Sequence, residues 1–451
     1  MTVKLIQDQI YTKIVTASQA DKKVIRNAIA CRPSGYQFMP AYRNSNWDGY
    51  ISFFRYSKFP SGLTQMVLDE LDKQKIEWDL NVQIPFFDTR PLQTEFGPFK
   101  MRDYQEAAAS VALKEQRGII KVATAGGKTL IITGIVNSVD TAVIVVPTRA
   151  LLMQTYLKLQ EVMHDRIIGR YGDNFKDVQE ITICTMASFG RMMEKIGKNG
   201  RNALDALIFD ECHHNKADSI AEVARTIPAP IRIGLSGTPM SRDVLDNMTI
   251  MGITGDIIYE ATSSDLIQEG WITKPKIFLV EILEPESSTS AYDNAYYECI
   301  VENDIRNDLI ATIAKREVEN GPVMILVERI YHTVILQRLL PEAGVATGKK
   351  GNATLVLDEL RNGTLNIAIA TTVFGEGVDV PDVSTVIIAG GGKSIRSVLQ
   401  KVGRALRKAD GKNEAHIYDF IDDTNDHLFN HSQLRVEIYE EEGFEMVMWD
   451  G

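Results

Sequence analysis

Seven consecutive residues, Ala123-Thr124-Ala125-Gly126-Gly127-Lys128-Thr129, have the types and order of a phosphate-binding loop. Gly126 and Gly127 let backbone amides approach phosphate oxygens, Lys128 reaches the β and γ groups, and the Thr129 hydroxyl faces a magnesium ion. The usual pattern carries a glycine five positions before Gly127, where this chain has Val122. Asp210 and Glu211, at the end of the apolar run DALIFD (205–210), supply the complementary carboxylates. Asp210 is expected to anchor the hydrated magnesium, and Glu211 to orient or deprotonate an attacking water. Cys212, His213 and His214 follow directly and are all zinc-ligand types. Adjacent side chains point in different directions and no fourth ligand lies at a useful spacing, so no zinc site is expected. A histidine here is better placed to link the nucleotide site to a neighbouring loop.

For these groups to meet, the strands carrying them must lie parallel, because the loops after parallel strands emerge at one edge of the sheet. From residue 100 the chain alternates helical patterns with short apolar runs: 117–124, 141–148, 181–185, 205–210 and 232–238. A second series follows at 322–328, 366–372, 383–390 and 414–420. Two α/β lobes are expected, joined near 260–290. The first 95 residues read as a small separate α+β module with a helix at about 62–75. Within it, two strand-like runs flank a turn at Asn46-Trp47-Asp48-Gly49. Trp47, Tyr50, Phe53 and Phe54 are candidates for base stacking, and Arg43, Arg55 and Lys58 for phosphates. Aromatic residues of a small sheet equally serve as its core, and both readings stand at this point.

Net charge is -11, with 44% hydrophobic and 24% charged residues, which describes a globular chain and argues against a general polyanion binder. The charge is uneven: residues 1–95 hold 12 Lys and Arg against 10 Asp and Glu, and residues 411–451 hold 2 against 11. Nucleic acid would therefore use local cationic grooves and avoid the acidic tail. Four widely spaced cysteines form no CxxC pair, which points to reduced thiols. The start MTVKLIQDQI lacks the pattern of a signal peptide and no apolar run is long enough to span a membrane, so a soluble intracellular protein is expected.

Taken together these segments resemble superfamily 2 helicases and translocases over roughly residues 100–435. ATAGGKT resembles the first motif, with Ala125 in place of the more usual glycine, and DECH (210–213) the second. Arg102-Asp103-Tyr104-Gln105 resembles the adenine-side motif, and Ser236-Gly237-Thr238-Pro239 the third. TTVFGEGVDVP (371–381) resembles the fifth motif and QKVGRALR (400–407) the sixth. The resemblance implies two tandem RecA-like parallel-sheet lobes at 96–265 and 266–451, preceded by an accessory DNA-binding module at 1–95. It further implies ATP and Mg2+ as cofactors. Arg102, Gln105, Thr124, Ala125, Gly126, Gly127, Lys128, Thr129, Gly377 and Asp379 would bind nucleotide. Asp210, Glu211 and Lys128 would act in hydrolysis, with Arg404 and Arg407 entering the nucleotide cleft from the second lobe. His213, Ser236, Thr238 and Gln400 would couple nucleotide state to grip. Arg149, Gln154, Thr185, Ser188, Thr371, Thr372 and Trp47 would contact nucleic acid. Lys401 stands where arginine is more usual, and it receives no catalytic role.

The order of GITGDIIYE (252–260), GWITKP (270–275) and HLFNHSQLRVEIYEEEGF (427–444) is similar to the branch of XPB-type DNA translocases and phage UvsW-type branch-migration helicases. That branch implies remodelling of forked or branched DNA in recombination, replication or repair, commonly with 3'-to-5' polarity. A phage-encoded member would work in the host cytoplasm. An RNA helicase or a duplex translocase without net unwinding shares the same engine. A nonhydrolysing scaffold would lack Lys128, Glu211 or Arg407, and a small-molecule kinase would not need the second lobe.

Overall fold

The computed structural model describes the chain apart from residues 1, 85, 125, 215–217, 242, 348–351, 372–382 and 393–413, with backbone alone at 218 and 352–354. The chain divides into two compact units, Met1–Val122 with Gly127–Ala261, and Ala123–Gly126 with Thr262–Gly451.

The first unit holds an eight-stranded sheet in the order Phe175–Asp177, Ile168–Gly172, Ile181–Thr185, Ala142–Val146, Ala206–Asp210, Ile231–Ser236, Arg117–Val122, Ile257–Ala261. Neighbours pair in parallel except in the hairpin of the first two. Ala142–Val146, Ile181–Thr185, Ala206–Asp210 and Ile231–Ser236 are buried at every position, so helices cover both faces and the strands are mostly apolar, with Arg232 buried among them and donating to the carbonyls of Ala224, Ile227 and Ile253. Phe189, Met192, Phe209 and Ile253 belong to one of its core clusters. Three strands escape the sequence reading: Ile168–Gly172, Phe175–Asp177 and Ile257–Ala261. They sit at or near the edges: Phe175–Asp177 and Ile257–Ala261 are partly exposed, whereas Ile168–Gly172 is largely buried but its apolar pattern is broken by Gly169, Arg170 and Gly172.

The second unit holds a seven-stranded sheet, parallel throughout: Gly344–Ala346, Ile367–Thr371, Val323–Val327, Thr385–Ile388, Glu414–Asp422, Lys274–Ile282, Glu445–Met448. Each sheet with its helices forms a RecA-like lobe. Lys274–Ile282 falls inside the stretch expected to join the lobes, yet it is a nine-residue strand paired along its whole length with Glu414–Asp422. Its alternation of buried and partly exposed residues hides it from a search for continuous apolar runs. Two buried ion pairs lock this lobe: Arg306 with Asp422 and Arg435 with Asp419, each at 2.8 Å. Carbonyls of Ala389 and Phe420 satisfy the remaining guanidinium donors.

The N-terminal module is α+β, with a four-stranded sheet ordered Lys58–Pro60, Tyr11–Thr16, Val3–Gln7, Trp78–Val82 and helices Gln19–Ala28 and Thr64–Lys73. The expected helix at 62–75 is therefore present. The run before Trp47, expected as a strand, is instead a 3-10 turn at Tyr36–Phe38 and a short helix at Pro40–Asn44. Pro40 at the first helical position explains the difference, since its fixed φ suits a helix start and its missing N–H costs nothing there. The module's core of Val3, Leu5, Ile25, Phe59, Leu63 and Val67 continues into the first lobe through Met248, with Leu245 and Met251 packed against it. A Cβ on Gly62 would collide with the Met251 carbonyl oxygen. Ser34 N–H donates to Asp243 at 3.0 Å, and Asp243 also caps the helix Val244–Thr254.

Truncating a fully buried side chain in this shared core should destabilise the whole unit. Leu63→Ala is expected to cost about 2–5 kcal/mol in urea unfolding, with a single transition for module and lobe. Two separate transitions would show that the cores are independent.

Candidate nucleotide and nucleic-acid sites

The parallel register brings the ends of several strands to one edge of the first sheet. Arg117–Val122 leads into the glycine loop, in which Gly126 N–H donates to the Ala123 carbonyl at 3.0 Å. Helix Lys128–Asn137 begins directly after it, with Gly127 at φ 68 as its N-cap. A side chain on Gly127 would meet the carboxamide nitrogen of Gln105 as well as strain the backbone. From the end of Ala206–Asp210, Glu211 Oε1 reaches Lys128 Nζ at 3.1 Å. Glu211 itself holds φ 48, a left-handed conformation that costs a non-glycine residue energy and is often retained where a side chain must be aimed.

Burial opposes ionisation of Asp210, and the charge on Glu211 adds to it, so the Asp210 carboxyl is pushed up to about 7. For Glu211 burial is again the largest influence and acts the same way, yet Lys128, His213 and His214 together outweigh it and hold the group below the usual carboxylate range. Burial opposes the Lys128 ammonium, but Glu211 and Asp210 raise its pKa. The pocket thus contains one committed ion pair and a second carboxylate that gains from an added cation. The Asp210 carboxylate and the Thr129 hydroxyl are the hard oxygen donors that the strand end and the helix start offer. Among the described residues no three His, Cys, Asp or Glu side chains gather as a metal cage. A cation bound through one or two protein oxygens, waters and phosphates is the habit of Mg2+, so these residues fit Mg2+ with a nucleoside triphosphate.

Ser236 ties the acidic end to the next strand. Its Oγ lies 2.8 Å from His213 Nδ1, donates to Glu211 Oε2 at 3.4 Å, and accepts from Thr238 N–H at 3.1 Å. His213 is buried, and its contact with the serine is donated by one or the other group according to the imidazole tautomer. His213, Ser236 and Thr238 are therefore joined to Glu211 in one hydrogen-bond chain. The His213 and His214 rings lie against each other at a tilt of 38°, with centroids 4.2 Å apart.

Gln105 is almost fully buried: its Oε1 accepts from Arg102 N–H at 2.9 Å and its Nε2 donates to the Gly127 carbonyl at 3.4 Å. Its carboxamide thus braces both its own helix and the glycine loop, while Arg102 Nη1 donates to the Tyr104 hydroxyl at 3.1 Å.

At the same sheet edge lies an open cavity of about 670 Å3, whose lining includes Thr148, Arg149, Asp173, Lys176, Thr185, Ser188 and Arg191. Three expected nucleic-acid contacts, Arg149, Thr185 and Ser188, therefore share one concavity. Arg149 pairs with Asp173 across it at 3.0 Å. Lys176 and Arg191 were missed by motif reading; the turn residues Gly172-Asp173-Asn174 marked the hairpin that carries Lys176. Gln154 is partly buried on the helix Arg149–Val162 and is absent from the described lining. In the second unit, Thr371 closes the strand Ile367–Thr371, and its buried hydroxyl has no hydrogen-bond partner among the described residues. Trp47 is partly exposed and its indole N–H donates to the Tyr50 carbonyl at 2.9 Å. Of the other aromatic candidates Phe54 is core and Phe53 packs against that core. Ala125, Thr372, Gly377, Asp379, Gln400, Arg404 and Arg407 lie outside the described residues.

Residues 98–241 match the family described as type III restriction enzyme, res subunit, and residues 306–409 match the helicase conserved C-terminal domain. Both halves of the motor are present. The chain belongs to the superfamily 2 helicases. The helicase is 26% identical to the DNA 3'-5' translocase XPB2 of Sulfurisphaera tokodaii, covering 80% of this chain and 92% of that protein. It is 26% identical to the ATP-dependent DNA helicase uvsW of Enterobacteria phage T4 over 94% of both chains. The crystal structure of T4 UvsW shares its fold, with a TM-score of 0.50 at 21% identity and 99% of each chain covered.

Replacing Glu211 by Gln keeps the shape and removes the charge. ATP turnover by the helicase is expected to fall by about 10^2 to 10^4, with nucleotide affinity within a few fold; a change of less than tenfold in kcat would sink a role for Glu211 in activating water. At the cavity, Arg149→Ala should weaken nucleic-acid binding evenly across sequences and lower the slope of log K against log salt by about 1. An unchanged slope would remove Arg149 from the phosphate contacts.

Proposed function

We propose that this helicase is an ATP-driven motor that remodels forked or branched DNA in recombination, replication or repair, moving 3'-to-5'. The observation that carries the reading is the clustering of Lys128, Asp210 and Glu211 at the sheet edge that also opens into the Arg149, Thr185 and Ser188 cavity. DNA as substrate and the polarity are taken from the printed activities of the archaeal and phage relatives. The T4 DNA helicase aligns along 94% of both chains, which takes in much of the N-terminal module, and branched DNA is what the sequence resemblance to the branch-migration branch implies.

In this reading residues 96–265 and 266–451 are the motor lobes and 1–95 an accessory DNA-binding module. Gly126, Gly127, Lys128 and Thr129 cradle the phosphates, and Asp210 with Thr129 holds the ion. Mg-ATP, once bound, supplies the phosphoryl bond whose hydrolysis drives the cycle. Lys128, released from Glu211 by a competing phosphate, holds that phosphate and leaves the Glu211 carboxylate to orient water. The chain from Glu211 through Ser236 to His213 and Thr238 reports the state of the site to the rest of the lobe. Thr124, Arg102 and Gln105 complete the nucleotide side, with Gly377, Asp379, Gln400, Arg404 and Arg407 acting from the second lobe. Gln154, Thr371, Thr372 and Trp47 join the DNA contacts. No helix among the described residues is long and apolar enough to cross a membrane. If the gene is carried by a phage, the motor works in the host cytoplasm.

Steady-state ATP hydrolysis should rise several-fold more with forks or four-way junctions than with plain duplex or single strands, and Glu211→Gln should abolish the rise. Equal stimulation by plain duplex would favour a general translocase, and stimulation by RNA alone would overturn the DNA assignment.

A further inference from the structure

Residues 55–58 form a two-residue hairpin turn whose chemistry the motor does not use. Arg55 N–H donates to the Lys58 carbonyl at 2.9 Å, and Lys58 N–H returns the bond at 3.0 Å. Both central residues are left-handed, Tyr56 at φ 52 and Ser57 at φ 56. Turns of this kind favour asparagine and glycine, because a β-carbon strains the backbone. Here the strained apex carries a tyrosine that is 96% exposed. The turn is fixed to its sheet: Ile14 N–H donates to the Ser57 carbonyl at 2.8 Å. In the antiparallel register Lys58 stands directly opposite Lys13, an arrangement in which like charges repel. Asp8 lies 3.2 Å from Lys13 and offsets part of that repulsion, while the Lys58 ammonium sits 4.0 Å above the Tyr11 ring. Arg55 is exposed beside them.

Backbone strain is a cost at this hairpin, as are facing cations that Asp8 and the Tyr11 ring offset only in part, and the exposed ring at its apex adds no packing to the fold. One ligand chemistry engages the cations and the ring together: a flat unpaired base flanked by phosphates. We propose that Tyr56 is a stacking platform for an unpaired base of the DNA substrate, with Arg55, Lys58 and Lys13 holding the adjoining phosphates. This rests on the DNA-remodelling reading above and names the part of a fork that the N-terminal module reads. The anchored turn presents the ring on a rigid support, so little ordering is needed on binding.

The test uses the full-length protein and fluorescence anisotropy with a fork bearing single-stranded arms and a blunt duplex of equal length. Tyr56→Ala should weaken fork binding about tenfold and blunt-duplex binding less than twofold, and Tyr56→Phe should bind forks like the parent. Tyr56→Gly should also lose fork affinity while its thermal midpoint rises, because glycine relieves the left-handed strain. That opposite movement of stability and affinity separates a binding role from a structural one. Wild-type fork affinity in Tyr56→Ala, or equal losses on fork and blunt duplex, would overturn the platform while leaving the motor reading intact. A parent protein that binds no DNA and shows no DNA-stimulated ATP turnover would instead overturn the function itself, and the platform with it.

Discussion

Parallel strand pairing is the constraint from which this helicase's first lobe follows. Because Arg117–Val122, Ala142–Val146, Ile181–Thr185, Ala206–Asp210 and Ile231–Ser236 all run the same way, their following loops emerge at one edge. The glycine loop, the Asp210-Glu211 pair, Ser236 and the cavity beside Thr148 are consequences of that single alignment. Burial of the strands on both faces makes the edge firm enough to hold an ion pair of 3.1 Å between segments far apart in sequence.

Chemistry at this edge is set by how few charges are left uncompensated. Lys128 and Glu211 answer each other, and the carbonyl and amide groups around Gln105 and Gly127 are tied together. Asp210 is the exception, since burial and its neighbour both work against its charge. The Glu211 N–H at 3.0 Å and the Lys128 charge offset only part of that pressure, and an added cation would offset more of it. The same logic appears in the second lobe with the opposite outcome. There Asp422 and Asp419 are each answered by a buried arginine, and those charges are structural.

Legibility in the sequence tracked how local each signal was. Lys128, Asp210 and Glu211 could be named because their neighbours impose the same loop and strand end wherever they occur, and the strands around them are mostly apolar. Lys274–Ile282 was taken for a joint because its exposure alternates, whereas Ile257–Ala261 is half-buried or exposed over most of its length and Ile168–Gly172 carries two glycines and an arginine in a buried strand. Gln105 could be placed near the nucleotide, whereas its double role as helix brace and loop brace required coordinates. Pro40 was the available clue to the helix at Pro40–Asn44, and it was outweighed by the aromatic residues around it. Phe54 and Trp47 look alike in sequence, yet one fills the module's core and the other keeps part of its ring in solvent. Nothing in the apolar pattern of Val244–Thr254 distinguishes residues that face the lobe from those that face the module.

That last helix has a consequence for how such a motor can diversify. Recognition modules are commonly exchanged between motors when a linker separates the two, because neither side loses packing. Here Met248 is a core residue of the module although it belongs to the lobe, and Gly62 lies against the backbone at Met251. A foreign module would arrive without a surface to match, and the lobe would be left with an apolar stripe on one of its own helices. Exchanging the module alone would uncover that stripe, so exposed positions of the module are the ones that can change without loss of packing.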